Sequence, residues 1–153
     1  MAVTQLLVRI PEKLLAECRA DAAALDRVVS FEAAPRNFHL DLDWSPAPLH
    51  ELMRCARQTA DVRAALRRAV DGLRPVNADF PEDAVWVAPS ELVPLEVGAV
   101  SAALDTIDAN AVFATSVGAD DGCNGQLRQH FEALRRFYAE AAGAGHAVIV
   151  WWD

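Results

Sequence analysis

The sequence predicts a single α+β domain, with helices packed on a mixed or antiparallel sheet and a buried C-terminal strand. Three observations carry this. First, Leu127, Phe131, Leu134 and Tyr138 recur at three- and four-residue spacing, while Arg128, Glu132, Arg136 and Glu140 occupy another stripe, which describes an amphipathic helix. Second, Gly143 and Gly145 stop that helix, and Ala147, Val148, Ile149, Val150, Trp151 and Trp152 follow as six consecutive apolar residues. Six are too few for another packed helix, and the branched and aromatic types suit a pleated surface. Third, that strand is apolar on both faces, so it must be covered on both, by the body of the domain and by helices or a second subunit. A more regular α/β layout is the runner-up, because strand and helix patterns alternate along much of the chain.

From the start, Thr4 to Ile10 reads as a strand, and Pro11 suits the first turn of a helix, where its missing N–H costs nothing. That helix is expected to reach Val29, with Leu14, Leu15, Cys18, Ala22, Leu25 and Val29 drifting along one face. Phe31 to Asn37 is a turn-bearing connection, and His39 to Asp43 alternates polar with apolar as a short strand does. Ser45-Pro46-Ala47-Pro48 opens a helix carrying Leu49, Leu52, Met53 and Ala56 inward. A second helix, from Thr59 or Asp61 to Leu73, turns Val62, Ala65, Leu66, Ala69 and Val70 inward and leaves its arginines as a solvated face. Arg74 to Asp83 is a loop and Ala84 to Ala88 a brief strand. A helix from Pro94 to Asp108, a strand from Ala111 to Val117 and a flexible loop from Gly118 to Gly125 complete the layout.

With 153 residues the chain is one domain with enough apolar content to close a core without metal or disulfide help. A net charge of -8 and a single lysine argue against a phosphate backbone as partner. No apolar run is long enough for a bilayer, and the first ten residues lack a signal-peptide pattern, so a cytoplasmic location is expected. Cys18, Cys55 and Cys123 are odd in number and far apart, which suggests reduced thiols rather than a disulfide framework or zinc knuckle.

The best constellation for chemistry is His39, Asp41 and Asp43, spaced by two so that an extended backbone points them to one face, with His50 on the next helix. Imidazole and carboxylate can hold a divalent ion or form a general base. Against this, Asp43 precedes a helix start, where a carboxylate caps backbone N–H groups, and no metal-ligand spacing repeats elsewhere. Capping and a solvated edge outweigh catalysis. Asp120, Asp121 and Asn124 lack the spacing of a calcium loop, and Cys123 lies too far along a helix from His130 to share a proton. Ser90 and Ser101 have no nucleophile-elbow context. No metal and no cofactor is implied. Trp44, Trp151 and Trp152 are the candidates for a pocket or interface. Trp151 and Trp152 must face opposite ways on a strand, and Trp86 joins them as an aromatic expected in the core.

Four segments in order resemble the YfbM-like family of bacterial domains of unknown function. They are His39-Leu40-Asp41-Leu42-Asp43, then Leu49-His50-Glu51-Leu52-Met53, then Pro89-Ser90-Glu91-Leu92 leading to Ala102-Ala103-Leu104-Asp105-Thr106-Ile107, and finally His130 to Asp153. The resemblance covers the chain from about residue 39 and implies an α+β domain with helices on a sheet, without a reaction, cofactor or catalytic residue to carry over. The chain departs from the family at Trp44 to Pro48 and in the arginine-bearing run from Arg54 to Asp71, so a pocket built there would be its own.

The function expected from the sequence is a binding or protein-interaction module without turnover. Its partner could be a basic protein, such as a toxin neutralised by an acidic immunity-type protein. The alternative is a small hydrolase or metal-dependent enzyme using His39, Asp41, Asp43 and His50. A homodimer through the doubly apolar terminal strand is the expected form of any self-association.

Overall fold

The computed structural model describes residues 3–81, 83–114 and 121–153, with side chains from 124 onward in the last segment. Its strands are β1 (Gln5–Ile10), β2 (His39–Asp43), β3 (Arg74–Pro75), β4 (Val87–Leu92) and β5 (Ala147–Trp152). They form one antiparallel sheet in the order β2-β1-β5-β4-β3. The helices are α1 (Glu12–Ala20), α2 (Ala22–Val29), α3 (Pro46–Cys55), α4 (Ala60–Asp71), α5 (Pro94–Asp105), α6 (Ala109–Ala114) and α7 (Asp121–Gly143).

The central position of β5 explains its composition. Ala147, Ile149 and Trp151 join Leu6, Val8 and Ile10 of β1 in a core covered by α1 and α2, which contribute Leu15, Cys18, Leu25 and Val28. Val148 and Val150 face the other way, into a core with Leu7, Leu42 and residues of α3 to α7. An antiparallel sheet usually alternates because one face is wet, and helices on both faces remove that requirement. Both covers come from the same chain, so β5 needs no second subunit, and the dimer expectation draws no support from it.

The stop before β5 is a Schellman turn. Gly145 takes φ 64°, and its N–H donates to Ala142 O while the N–H of His146 donates to Ala141 O. The two N–H groups satisfy carbonyls that the end of α7 leaves without helical donors.

Several expectations are corrected. The helix drawn from Pro11 to Val29 is two helices, because Asp21 takes extended dihedrals and its carboxylate accepts the N–H of Ala23, capping α2. The strand expected from Ala111 is helical as far as Ala114, where Asp108 accepts from Asn110 and Ala111 and starts α6 in an alanine-rich stretch. Residues 115–117 of that expectation and 118–120 of the expected loop lie outside the described residues. From Asp121 the supposed loop is already helix, so two glycines at 122 and 125 are carried inside α7. The loop after Arg74 begins with the two-residue strand β3. The next strand runs from Val87 rather than Ala84, and its register against β5 shifts around Pro89, which has no N–H to give. The helix expected to reach Asp108 stops at Asp105. Among the described residues no helix is long and apolar enough to cross a membrane.

Candidate functional site

A groove of about 770 Å³ opens between α3 and α4, with Trp152 of β5 also lining it. One wall is α4. Thr59 caps α4, accepting the N–H of Val62 at 3.3 Å, and Ala65, Leu66, Ala69 and Val70 bury the inner stripe. The neighbouring stripe, at spacing four, is Arg63, Arg67 and Asp71, and all three line the groove. Across it, α3 buries Leu49 and Met53 and presents His50 one position on.

The charges in the groove are unevenly used. Arg54 is held by Glu51 at 2.5 Å on its own helix, whereas among the described residues neither Arg63 nor Arg67 has an ion-pair partner. Burial holds the His50 imidazole below its ordinary range, with Asp71 opposing and Arg67 reinforcing the shift. Burial pushes the Asp71 carboxyl up, with His50 and Arg67 opposing. His50 is half-buried and Asp71 exposed, and in each the part turned away from water disfavours the charged form.

Behind the groove lies a recess of about 210 Å³ that shares Asp71 and Trp152 with it and adds Gln5, Ser90 and Val150. Gln5 is fully buried and its Nε2 donates to the carbonyl of Val70. Val70 sits in the last turn of α4, where carbonyls lack helical donors. That acceptor fixes the carboxamide orientation, leaving Gln5 Oε1 as a buried acceptor without a hydrogen bond among the described residues.

The four residues singled out from sequence do not converge. His39 and Asp41 pair with Val8 and Leu6 of β1, whose side chains belong to the α1–α2 side of the sheet, and His39 lies edge-on to Trp151. His50 sits on the opposite side, in the groove. Asp41 accepts from Thr4 Oγ1 at 2.5 Å and from the N–H of Asp43 at 2.8 Å, fastening the end of β2. Asp43 takes φ 52°, and the register of β2 shifts beside it, so the alternation ends there. No side chain caps α3; its leading residue Ser45 is buried and bonds instead to His130 Nδ1 on α7. Among the described residues no three His, Cys, Asp or Glu are grouped to hold a metal.

Of the tryptophans, Trp151 is buried, Trp152 lines groove and recess, and Trp44 is 44% exposed. Trp86, expected in the core, is 74% exposed. Cys18 is buried and its thiol is pushed up to about 11, chiefly by burial, as an inert core residue requires. The side chain of Cys123 lies outside the described residues. Sequence reasoning missed Gln5, Arg63, Arg67 and Asp71. The spacing of the last three was visible, but their orientation toward α3 depends on how two helices pack.

No protein-family profile matches the chain. No curated protein matches it by sequence. Among solved structures it is similar to YfbM from Escherichia coli, a protein of unknown function, with a TM-score of 0.63 and 16% identity. The match covers 98% of this chain and 99% of that one, α1 and α2 included. At that identity the likeness speaks for the backbone arrangement and not for the groove's side chains. The chain thus has the YfbM-like fold that its segment order and terminal strand implied.

Proposed function

We propose that the protein is a binding module that holds an anionic group of its ligand in the α3–α4 groove without turning it over. The observation that carries this reading is the pair of groove arginines, Arg63 and Arg67, which have no ion-pair partner among the described residues and stand beside an aromatic wall, Trp152. A guanidinium presents several donors in a fixed fork and suits carboxylate or phosphate, and the indole supplies apolar area. The groove's volume falls in the usual range for small-ligand sites, roughly 300–1,000 Å³. The enzyme reading is weaker because His39 and Asp41 lie across the sheet from His50. A cytoplasmic setting goes with this proposal, as do the reduced cysteines.

Titration of isotope-labelled protein with benzoate and phenyl phosphate tests it. Saturable shifts in α3, α4 and the side-chain signals of Arg63 and Arg67, lost in Arg67→Ala, are expected. Shifts confined to other surfaces would overturn the reading. Turnover of a test ester that disappears in His50→Ala would put the enzyme ahead of it.

A further inference from the structure

We infer that the groove and the recess behind it form one site for a zwitterionic ligand of the α-amino-acid class, with its ammonium in the recess and its carboxylate on Arg67. The inference rests on the binding reading above and adds the second half of the ligand.

The recess asks for a donor. Gln5 is fully buried, its amide nitrogen is committed to Val70 O, and its Oε1 has no hydrogen bond among the described residues. A buried acceptor in that state is a standing cost that a ligand donor removes. Asp71, itself exposed, and Ser90 also line the recess; a carboxylate offers an anionic acceptor and a hydroxyl can take either role. Two acceptors and a hydroxyl suit the three donors and positive charge of a primary ammonium. A ligand carboxylate there would face Asp71 and be repelled.

The spacing to the anion site is compatible with a short zwitterion. Arg67 stands one turn before Asp71 on α4, about 6 Å along the axis at 1.5 Å per residue. An α-amino acid places its ammonium and carboxylate about 3 Å apart, so with a hydrogen bond of about 3 Å at each end it bridges groups about 9 Å apart, a span within reach of a long arginine side chain one turn away. The helix does not close the gap itself: among the described residues Arg67 and Asp71 form no ion pair, and arginine preceding an acid by four is the less favourable order against the helix dipole. Trp152 borders both spaces, so it can flank the ligand's side chain at either position.

Calorimetric titration of the full chain with L-phenylalanine, 3-phenylpropionate and phenethylamine separates the alternatives. The zwitterion is expected to bind one to one and at least about tenfold more tightly than either half-ligand. Asp71→Asn should weaken phenylalanine and phenethylamine while leaving phenylpropionate within about twofold, and Arg67→Met should weaken phenylalanine and phenylpropionate while leaving phenethylamine within about twofold. If phenylpropionate binds as tightly as phenylalanine and Asp71→Asn changes neither, the zwitterion is wrong while the anion site stands. If phenylalanine and phenylpropionate both fail to bind, and benzoate and phenyl phosphate fail as well, both readings fall. Gln5→Glu, which keeps an acceptor in the recess, should retain phenylalanine binding if it folds, and loss of binding in a folded Gln5→Glu protein counts against the recess as the ammonium site.

Discussion

The hydroxyl of Tyr138 on α7 donates to the carbonyl of Ala69 on α4 at 2.7 Å, in a place where both residues are fully buried. This bond does work that the helix cannot do for itself. α4 stops at Asp71, and the N–H of Leu73, which would have met Ala69 O in a continuing helix, goes to Glu91 O instead. The next carbonyl, Val70 O, is served by Gln5. The end of α4 is thus capped from α7 and from β1, which sets the wall of the groove against the sheet.

Tyr138→Phe should therefore cost more than loss of one hydroxyl on a surface, about 1–3 kcal/mol, because it leaves a buried carbonyl without a donor. Burial pushes the Tyr138 phenol up, so the donor is kept across the working pH range. Urea unfolding of the variant measures the loss, and hydrogen exchange should be faster in the last turn of α4 than in α5. A change below about 0.3 kcal/mol would show that the bond is dispensable.

Trp151 gives a contrasting case. It is buried, lies edge-on to His39 with ring centroids 6.4 Å apart, and its indole N–H has no hydrogen bond among the described residues. Trp151→Ala opens a cavity at the centre of the sheet and should cost about 3–5 kcal/mol. Trp151→Phe keeps most of the ring and removes the orphan donor, so its cost should be under about 2 kcal/mol. Equal losses in the two variants would contradict the unpartnered state of the indole.

What was legible in the sequence follows from these contacts. β5 and α7 were readable because each has one dominant period and length, and the double apolarity of β5 required the central place it holds. α6 was misread because Ala111, Val112 and Phe113 fit either a strand or a helix, and the deciding cap, Asp108, lies just before them. The groove was not legible. The stripe of Arg63, Arg67 and Asp71 has the same pattern on a solvated helix, and only the packing of α3 beside α4 turns it into a wall. Gln5 was hidden more deeply, since its partner is a backbone carbonyl 65 residues away. Conversely, His39, Asp41 and His50 were close in sequence, and the sheet between them separates what the spacing brought together.

Gly72 marks the exit from α4 and should resist substitution. Its φ of 69° and ψ of -167° belong to a region essentially reserved for glycine, and a Cβ there would come within 2.6 Å of Ser90 Cβ. Gly72→Ala should destabilise by about 3 kcal/mol, strain and clash together. Arg57 is the opposite case: exposed, with φ 54° in the turn that ends α3. Arg57→Gly removes the left-handed strain and should leave stability unchanged or raise it by up to about 1 kcal/mol. Thermal unfolding of both variants checks the pair, and a loss on Arg57→Gly as large as that on Gly72→Ala would refute the backbone argument.

Stability should fall on mild acidification. Burial lowers His50, and burial together with Arg9 lowers His146, so each folded histidine binds a proton less readily than in the unfolded chain. The unfolded state then holds more protons, and stability rises with pH in that window. Their contribution is complete above the ordinary histidine value of about 6.5 and is lost as pH falls through it toward the lower folded values. Asp71 acts in the opposite sense, since its raised folded value penalises the ionised form and the penalty is released as pH falls toward the ordinary aspartate value of about 4. Urea midpoints measured from about pH 7.5 down to 5 should therefore decline. The decline should flatten in a His50→Gln, His146→Gln double variant, with Asp71→Asn altering the profile mainly at its acid end. An unchanged slope in the double variant would remove both histidines as its cause.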